Sequence, residues 1–426
     1  MIAARRGRVL RVVGQPPAAS ATVRIRWGLT LGLVLILPMF AGLFAYVVDV
    51  PALYGMTKIW PVITAPLALL AAWRLRPDFQ SLLLVTFVWL LGATPLIGVI
   101  QLGNDVVGAV ASSVKVWPLI GSLSATGVLW LSRPSEADLR RAVVILAVLT
   151  FAFLIGAWLF APEALFHQGI EDTKVFLTDP ERGRRINAPM MFGIVGLLLV
   201  NRAFWRRPAV WKAAVVLLGL AAMIVCYKQR AQIGGAVAVL GLASALSLGR
   251  WRVPVIACGI AVLIAAALPV SWWVGQNAAD SLGGSLSMRQ IEAEAAVRFL
   301  NDAPWRWITG VGSASRIGDV TLGDIVGTPF FFPSDLGWLG VVFEYGVIGA
   351  GLMLALHIVA IRMAWQAARG GGDLARAVFD YAVFLLVVSP IVSVILSPGE
   401  LAVILALASW LRTLQAPPYA ASTSAP

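Results

Sequence analysis

Long apolar runs with almost no charged residues follow one another along this chain from residue 28 to residue 414. Most of these runs have about 18 to 22 residues, the length with which an α-helix crosses the roughly 30 Å hydrocarbon core of a bilayer. Backbone groups in lipid have to be hydrogen-bonded within the protein, and the runs lack the alternation of barrel strands. The sequence therefore predicts an all-α integral membrane protein.

The composition supports this fold class. Of the 426 residues, 59% are hydrophobic and only 13% are charged, and the mean hydropathy is +0.86. Soluble domains have about a quarter of their residues charged. The net charge of +12 does not indicate nucleic-acid binding, because the arginines lie in short clusters between the apolar runs. Such clusters are the topology signal of a membrane protein.

About twelve transmembrane helices are predicted. They cover residues 28–48, 59–73, 81–100, 108–131, 142–160, 188–204, 209–226, 231–248, 253–271, 336–360, 378–396 and 399–414. With a cytoplasmic N-terminus, every inside connection is basic, as the positive-inside rule requires. The prediction is a basic cytoplasmic segment at 1–27, a transmembrane domain at 28–414 and a disordered cytoplasmic tail at 415–426.

Two connections on the opposite, outer face are enlarged, at residues 161–187 and 272–335. Long loops on one face of a membrane bundle usually carry function, since simple connections need only a few residues. In the second loop, Ser287 and Gln290 have the spacing of a helix capping box. They predict a short amphipathic helix near the membrane surface.

Several basic residues lie on the outer face, where the positive-inside rule disfavours them. They are Arg182, Arg184, Arg185, Lys228, Arg230 and Arg289. One interpretation is a site for a membrane-bound anion such as a diphosphate, which a guanidinium binds through two hydrogen bonds. The other is that these cations pair with Asp179, Glu181 or lipid phosphates. For Arg230, in a tight turn between two spans, the binding interpretation is favoured.

Charged residues also lie within or beside the spans, where a membrane penalises them. Asp335, at the mouth of the tenth predicted span, is a candidate general base or a helix N-cap. Glu344, inside the same span, has to face the bundle interior and is expected to pair with Arg230 or another outer cation. Lys115, in the fourth span, has to face protein or water.

Gly310 and Gly312 form a Gly-Val-Gly segment in the long outer loop. Their backbone N–H groups could approach a phosphate, or the segment could simply be a turn. The sequence has neither the cysteine and histidine spacing of a metal site nor a Walker-type loop. It therefore predicts no metal and no cofactor.

Taken together, these pieces resemble the O-antigen ligase and polymerase superfamily of bacterial polysaccharide assembly. The matching pieces are Arg185-Ile-Asn-Ala-Pro-Met, Gln229-Arg230-Ala, Arg289, Gly310-Val-Gly, and Asp335-Leu-Gly followed by Glu344-Tyr-Gly-Val-Ile-Gly349. The resemblance covers about half of the chain by motif and nearly all of it by topology. It implies a membrane glycosyltransferase of GT-C-like architecture in the bacterial inner membrane, with both termini cytoplasmic and the active site on the periplasmic side.

By this resemblance, the protein would transfer a glycan from an undecaprenyl diphosphate carrier to an acceptor sugar at the outer leaflet. Arg185 and Arg230 would bind the diphosphate, and Arg289 would contact the diphosphate or the glycan. The catalytic residues predicted in this way are Asp335 and Arg230, and the substrate-binding residues are Arg184, Arg185, Arg289, Gly310, Gly312, Lys115 and Glu344. The expected partners are the lipid-linked donor, the glycan acceptor, the bilayer, a flippase and a chain-length regulator, with no nucleic acid.

One position departs from the ligase branch, in which a Pro-His-Asn element precedes the tenth span. This chain has Pro333-Ser334-Asp335 there. Asp335 would then be the base for the attacking hydroxyl, which favours a polymerase of O-antigen or exopolysaccharide repeat units. A ligase that transfers glycan to lipid A-core or to a protein is the alternative. A twelve-helix secondary transporter ranks lower, because the sequence has no internal repeat of the kind that transporters show.

Overall fold

A computed structural model describes residues 26–47, 50–103, 105–167, 175–179, 182–251, 253–254, 257, 284–312, 316–317, 320–328, 331–392 and 398–415. Nearly all of the predicted basic segment 1–27 and of the predicted tail 415–426 lies outside these residues. The same holds for most of the predicted span 253–271.

The described residues are predominantly helical. The helices are α1 (Trp27–Phe40), α2 (Ala52–Leu75), α3 (Gln80–Leu102), α4 (Val106–Ser132), α5 (Glu136–Phe160), α6 (Met191–Arg206), α7 (Val210–Tyr227), α8 (Arg230–Ser247), α9 (Gly284–Asn301), α10 (Trp305–Thr309), α11 (Leu322–Val326), α12 (Trp338–Gly370), α13 (Asp373–Val388) and α14 (Pro398–Gln415). Two small antiparallel hairpins pair β1 (Phe176–Asp179) with β2 (Gly183–Ile186) and β3 (Arg316–Ile317) with β4 (Val320–Thr321).

Seven of the described helices are long and apolar enough to cross a membrane, namely α2, α3, α4, α5, α7, α8 and α12. Each corresponds to a predicted span. α1 is a shorter apolar helix of 14 residues. The prediction of an all-α membrane protein is therefore confirmed at this level, whereas the count of twelve spans and the GT-C-like arrangement stay predictions.

Three further helices, α6, α13 and α14, have most of their side chains buried. α13 packs against α6, α12 and α14. The sequence predicts a span at 378–396, but α13 begins at Asp373 and ends at Val388. An ion pair of 2.7 Å between Asp373 and Arg206, at the end of α6, allows this charged first turn to lie against the bundle.

Irregular turns occur in several of the long helices, and two of these turns lie beside α12. α3 includes a π-helical turn at Val88–Ala93, and α4 includes a 3-10 stretch at Val114–Ile120, which contains Pro118. Turns of this kind re-aim side chains and often lie at functional sites. Trp89 of the first stretch and Lys115 of the second both contact α12.

α12 is interrupted at Gly346, where φ is +67° and ψ is 179°. A positive φ of this kind is readily adopted only by glycine. A Cβ at this position would also lie 2.1 Å from the carbonyl oxygen of Ile308. Gly346 is therefore required both by the backbone conformation and by the close approach of the segment 308–312.

The three carbonyl groups before this break find their hydrogen-bond donors outside α12. The N–H of Val311 donates to the Phe343 oxygen at 2.8 Å, the N–H of Gly312 to the Glu344 oxygen at 3.0 Å, and the indole N–H of Trp89 to the Tyr345 oxygen at 3.0 Å. Buried backbone carbonyls without a partner are costly. The segment 308–312 and Trp89 thus complete the hydrogen bonding of an interrupted membrane helix.

Residues 284–312 and 331–336 pack over this break and are called the outer cap. Their small core contains Ala296, Leu300 and Phe331, together with Phe343 of α12. The ring centroids of Phe331 and Phe343 are 5.0 Å apart. The predicted helix in this loop is present as α9. It begins at Gly284, however, so that Ser287 and Gln290 lie inside the helix and are not its capping box.

Candidate functional site

Two arginines pair with one carboxylate, and a lysine is bonded beside them, where the β1–β2 hairpin meets the turn between α7 and α8. Arg182 lies in the hairpin turn and Arg185 in β2, and their guanidinium groups are 3.7 and 4.0 Å from the Asp179 carboxylate. Lys228 follows α7 with a φ of +56° and donates a hydrogen bond of 2.7 Å to the Arg182 carbonyl. Arg182, Arg185 and Lys228 are called the cation cluster.

Further hydrogen bonds join the two segments that carry the cluster. The Arg182 side chain donates to the Lys228 carbonyl at 3.4 Å, and the Gln229 amide donates to the Asn187 side chain at 2.6 Å. Two segments about 45 positions apart in sequence are thereby held together. The cations are positioned by contacts on both sides, as a preorganised anion site requires.

The cluster has more positive than negative charge. Burial lowers the pKa of Arg185 and the neighbouring Arg182 lowers it further, while Asp179 and Tyr227 oppose this shift. Arginine nevertheless stays protonated in proteins. The buried Nε of Arg185 has no hydrogen-bond partner among the described residues. An anion bound here would gain charge-assisted hydrogen bonds from groups that are already partly desolvated.

Arg230 and Arg184 have different surroundings. Arg230 opens α8, is exposed, and forms no ion pair within the described ranges. Its place, two residues after Lys228, leaves it free to reach a ligand at the cation cluster. Arg184 is exposed, pairs with Glu163 and lies 5.6 Å over the Phe166 ring. The pairing interpretation of the outer cations therefore holds for Arg182 and Arg185, which pair with Asp179 as predicted, and for Arg184, which pairs with Glu163 instead.

A carboxylate, that of Glu400, and the tyrosines Tyr46 and Tyr381 lie near Tyr227, the residue before Lys228. Tyr227 is buried, donates a hydrogen bond of 2.5 Å to Gln232, and lies within electrostatic range of Arg185, Tyr46 and Glu400. The Tyr381 hydroxyl donates to Glu400 Oε2 at 2.9 Å. Glu400 is not among the residues that the sequence predicts for the site. The sequence did contain an indication of Glu400, because an acidic residue at the start of an apolar run is the feature that also singles out Asp335.

Lys115 and Glu344, both predicted to bind substrate, form an ion pair with each other. The Glu344 side chain is 7% exposed and that of Lys115 is 33% exposed. The Lys115 ammonium also lies 5.8 Å from the Tyr345 ring centroid. Glu344 is thus paired, as the sequence predicts, but with Lys115 of α4 rather than with Arg230.

Gly310 and Gly312 use their N–H groups within the protein. The N–H of Gly310 donates to the Arg306 carbonyl at 2.8 Å, and that of Gly312 donates into α12. The Gly310 carbonyl accepts a hydrogen bond of 2.9 Å from Gln101. Both residues have positive φ angles, +74° and +97°. These glycines dock the outer cap on α12, so that the donors envisaged for a phosphate are already occupied.

Asp335 lies in a 3-10 turn, Pro333–Leu336, before α12. The residue that precedes α12 is Gly337, so Asp335 is not its N-cap. Asp335 lies close to Glu292, which also has Arg289 and the N–H of Phe332 nearby. The carboxylate predicted as a base and the cation predicted as a glycan contact are therefore neighbours of the same residue.

Glu292 is a second carboxylate that the sequence analysis did not select. It is 2% exposed and shares the buried face of α9 with Ala295, Ala296 and Leu300. Burial raises the pKa of Glu292, Asp335 raises it further, and the Phe332 N–H and Arg289 oppose the shift. The sequence contains an indication of Glu292 as well, because an acidic residue there falls within the apolar stripe of an amphipathic helix.

The predicted site residues thus form three groups. Arg185 belongs to the cation cluster with Arg230 beside it, Arg289 and Asp335 belong to the outer cap, and Lys115 and Glu344 form a pair at the helix break. In the described part of the chain, no hydrogen bond or ion pair joins Asp335 to the cation cluster. No group of three or more potential metal ligands occurs among the same residues.

Comparisons with known proteins were made for the whole chain. No known protein family and no curated protein matches it.

Proposed function

We propose that the chain is a membrane glycosyltransferase that polymerises undecaprenyl-diphosphate-linked repeat units of an O-antigen or exopolysaccharide. The observation that carries this proposal is the cation cluster. Arg182 and Arg185 share one carboxylate, and Lys228 is bonded to the Arg182 carbonyl, so that three positive charges are held beside a single negative one. A diphosphate is an anion whose charge and oxygen spacing suit several guanidinium and ammonium groups at once.

In the proposed reaction, the main tasks of the protein are to hold the two substrates in position and to place positive charge beside the leaving group. The acceptor hydroxyl attacks the anomeric carbon of the donor glycan, and the carrier diphosphate leaves as an anion. Cations fixed around the leaving group stabilise the negative charge that develops on it, which is commonly the largest catalytic contribution in such sites. Arg182, Arg185 and Lys228 take this role, with Arg230 closing on the diphosphate from the start of α8.

The proposal includes a setting for the reaction. The chain lies in the bacterial inner membrane as a bundle of about twelve spans with GT-C-like architecture, both termini face the cytoplasm, and the cation cluster faces the periplasm. A flippase supplies the lipid-linked units, and a chain-length regulator acts on the product. The apolar helices support a membrane location.

A ligase is the second candidate function. The cation cluster suits it equally, because a ligase releases the same carrier diphosphate. The sequence Pro333-Ser334-Asp335, with no histidine, favours the polymerase. Removal of the gene separates the two functions, since loss of a polymerase leaves single units on the carrier and loss of a ligase leaves long polymer there.

The test of the polymerase is the glycan profile of cells that carry Arg185→Ala. We expect short units in place of long chains, with unchanged membrane insertion. Arg298→Ala is the matched control, because Arg298 is an exposed arginine on α9, outside the cation cluster. Normal chain length in the Arg185 variant would contradict the proposal. Substrate flux into proteoliposomes that is lost on changing Lys115 but not Arg230 would instead support a transporter.

A further inference from the structure

We infer that Glu400 is a catalytic residue, the base that takes the proton from the acceptor hydroxyl. The inference deepens the proposed function and rests on it. Glu400 belongs to none of the residues that the sequence suggested for catalysis or binding. Its position, partners and neighbours on α7, α13 and α14 carry the argument.

Glu400 is held at the end of a rigid helix. It lies in the first turn of α14, where it is partly exposed, whereas Leu401 and the seven residues that follow it are almost completely buried. The preceding residue, Gly399, packs so closely on α1 that a Cβ there would lie 2.6 Å from the Phe40 carbonyl oxygen. A carboxylate anchored in this way keeps its position when a ligand arrives.

The Tyr381 hydroxyl orients the carboxylate. It donates a hydrogen bond of 2.9 Å to Oε2 of Glu400. Tyr381 is 1% exposed and lies beside Phe384, with ring centroids 5.1 Å apart, so its hydroxyl is fixed by packing. A hydrogen bond to one carboxylate oxygen favours the charged form and leaves the other oxygen for a substrate hydroxyl.

Glu400 and the cation cluster share a neighbour. Tyr227, the residue before Lys228, lies within electrostatic range of both Arg185 and Glu400. The bond that breaks in the proposed reaction joins the anomeric carbon to the diphosphate. The acceptor hydroxyl attacks this carbon, and the base must lie within hydrogen-bond distance of that hydroxyl. The base therefore has to lie about one sugar ring away from the cations that hold the diphosphate.

Asp335 fits this requirement less well. Its neighbours are Glu292 and Arg289 in the outer cap, and within the described ranges it has no bond to the cation cluster. Among the same residues Glu400 is not bonded to the cluster either, but Tyr227, the residue before Lys228, is a neighbour of both Glu400 and Arg185. The structure therefore assigns the acceptor side of the site to the space near Glu400 and Tyr381.

The acceptor oxygen forms a bond to the anomeric carbon of the donor glycan, and its proton passes to the free oxygen of Glu400. The bond between the anomeric carbon and the diphosphate oxygen breaks, and its electron pair leaves with the diphosphate beside Arg185. The proton on Glu400 is then released to water, which restores the carboxylate.

The test compares Glu400→Gln with the wild type in two assays on the purified full-length protein in detergent. One assay measures binding of undecaprenyl diphosphate, and the other measures chain growth from a lipid-linked repeat unit. We expect Glu400→Gln to bind the carrier within about threefold of the wild type and to lose chain growth by about 100-fold or more, the usual contribution of a general base. Glu294→Gln, an exposed glutamate on α9, is the matched control.

Tyr381→Phe and Glu400→Asp keep the inference testable if the first variant folds poorly. Tyr381→Phe removes only the orienting hydroxyl and should slow chain growth without weakening carrier binding, and Glu400→Asp should retain measurable activity. Wild-type chain growth in Glu400→Gln would overturn the inference, as would equal losses of binding and growth. If the wild type itself neither bound the carrier nor extended a chain, the proposed function would fall first.

Discussion

Lys115 of α4 and Glu344 of α12 form an ion pair beside the break at Gly346. The pair lies where the 3-10 stretch of α4 meets the interrupted helix, two positions before the glycine. A membrane interior tolerates a carboxylate only when it has a partner of this kind. Lys115 therefore neutralises the carboxylate that lies beside the break in α12.

Removal of one partner should destabilise the protein. Lys115→Met leaves Glu344 buried without its cation, and we expect a loss of about 3 kcal/mol in the free energy of unfolding, as for other broken buried pairs. Lys115→Met combined with Glu344→Gln removes both charges and should recover most of this loss. Thermal unfolding of the two variants in detergent measures the difference. Equal losses in the single and the double variant would show that the pairing contributes little.

Gly346 and Gly351 offer a matched comparison within α12. Gly346→Ala places a Cβ 2.1 Å from the Ile308 carbonyl oxygen in a left-handed conformation, and should lower the melting temperature strongly. Gly351 has open space around it, and Gly351→Ala should be neutral or stabilise the helix by up to about 1 kcal/mol. The melting temperatures of both variants test this. Similar values would mean that the outer cap does not dock on the break.

Arg202 and Asp380 form a buried ion pair between α6 and α13. Two hydrogen bonds of 2.5 and 2.7 Å join them, and Arg202 also donates to the Ala243 carbonyl at 3.0 Å. Arg202→Ala should cost about 3 to 5 kcal/mol, because Asp380 is left charged and buried.

Arg412→Ala is the control for this pair. Its partner Asp78 is 54% exposed, and an exposed pair contributes at most about 1 kcal/mol. Unfolding of both variants in denaturant should therefore separate them clearly. A small effect of Arg202→Ala would indicate that water reaches Asp380 once the arginine side chain is removed.

Glu292 should make the stability of the outer cap depend on pH. Burial raises the pKa of Glu292 in the folded protein, so that the folded state binds more protons than the unfolded state, and stability falls as the pH rises above the ordinary glutamate value. Glu292→Gln removes this titration. We expect the variant to be more stable than the wild type at neutral pH and to lose this advantage below about pH 4.

Protease resistance of the outer cap across pH measures this effect. Glu294→Gln, on the exposed side of the same helix, should leave the pH dependence of the wild type unchanged. A difference between Glu292→Gln and the wild type that is constant over the whole pH range would rule out titration of Glu292 as the cause.

The sequence predicts the membrane helices well because each depends only on the length and polarity of one run. α5 and α12, for example, follow from composition alone. The break at Gly346 does not, because its partners are backbone N–H groups at Val311 and Gly312, which leave no side-chain pattern. The central helix α13 begins earlier than predicted for a related reason, since its charged first residue is compensated by Arg206 of a distant helix.

The candidate site was predicted in part. The arginines at residues 182, 184, 185 and 230 stood out in the sequence because the predicted topology puts them on the face that the positive-inside rule disfavours. The separation of the outer cations into a cation cluster at Arg185 and a cap group at Arg289 depends on long-range packing. The partner of Glu344 lies 229 positions away in sequence, and nothing local distinguishes Lys115 from Arg230 as that partner. Glu292 and Glu400 carried visible signals, Glu292 as an acid on the apolar stripe of an amphipathic helix and Glu400 as an acid at the start of an apolar run.

Val311 and Gly312 donate hydrogen bonds to carbonyls of α12, and these bonds affect how the helix can enter the membrane. A bare α12 released sideways from the translocation channel would present three carbonyls to lipid, each without a donor and each at considerable cost. Lateral release of this helix is therefore coupled to docking of residues 308–312. A chain in which this segment is shortened would release α12 with these carbonyls unpaired.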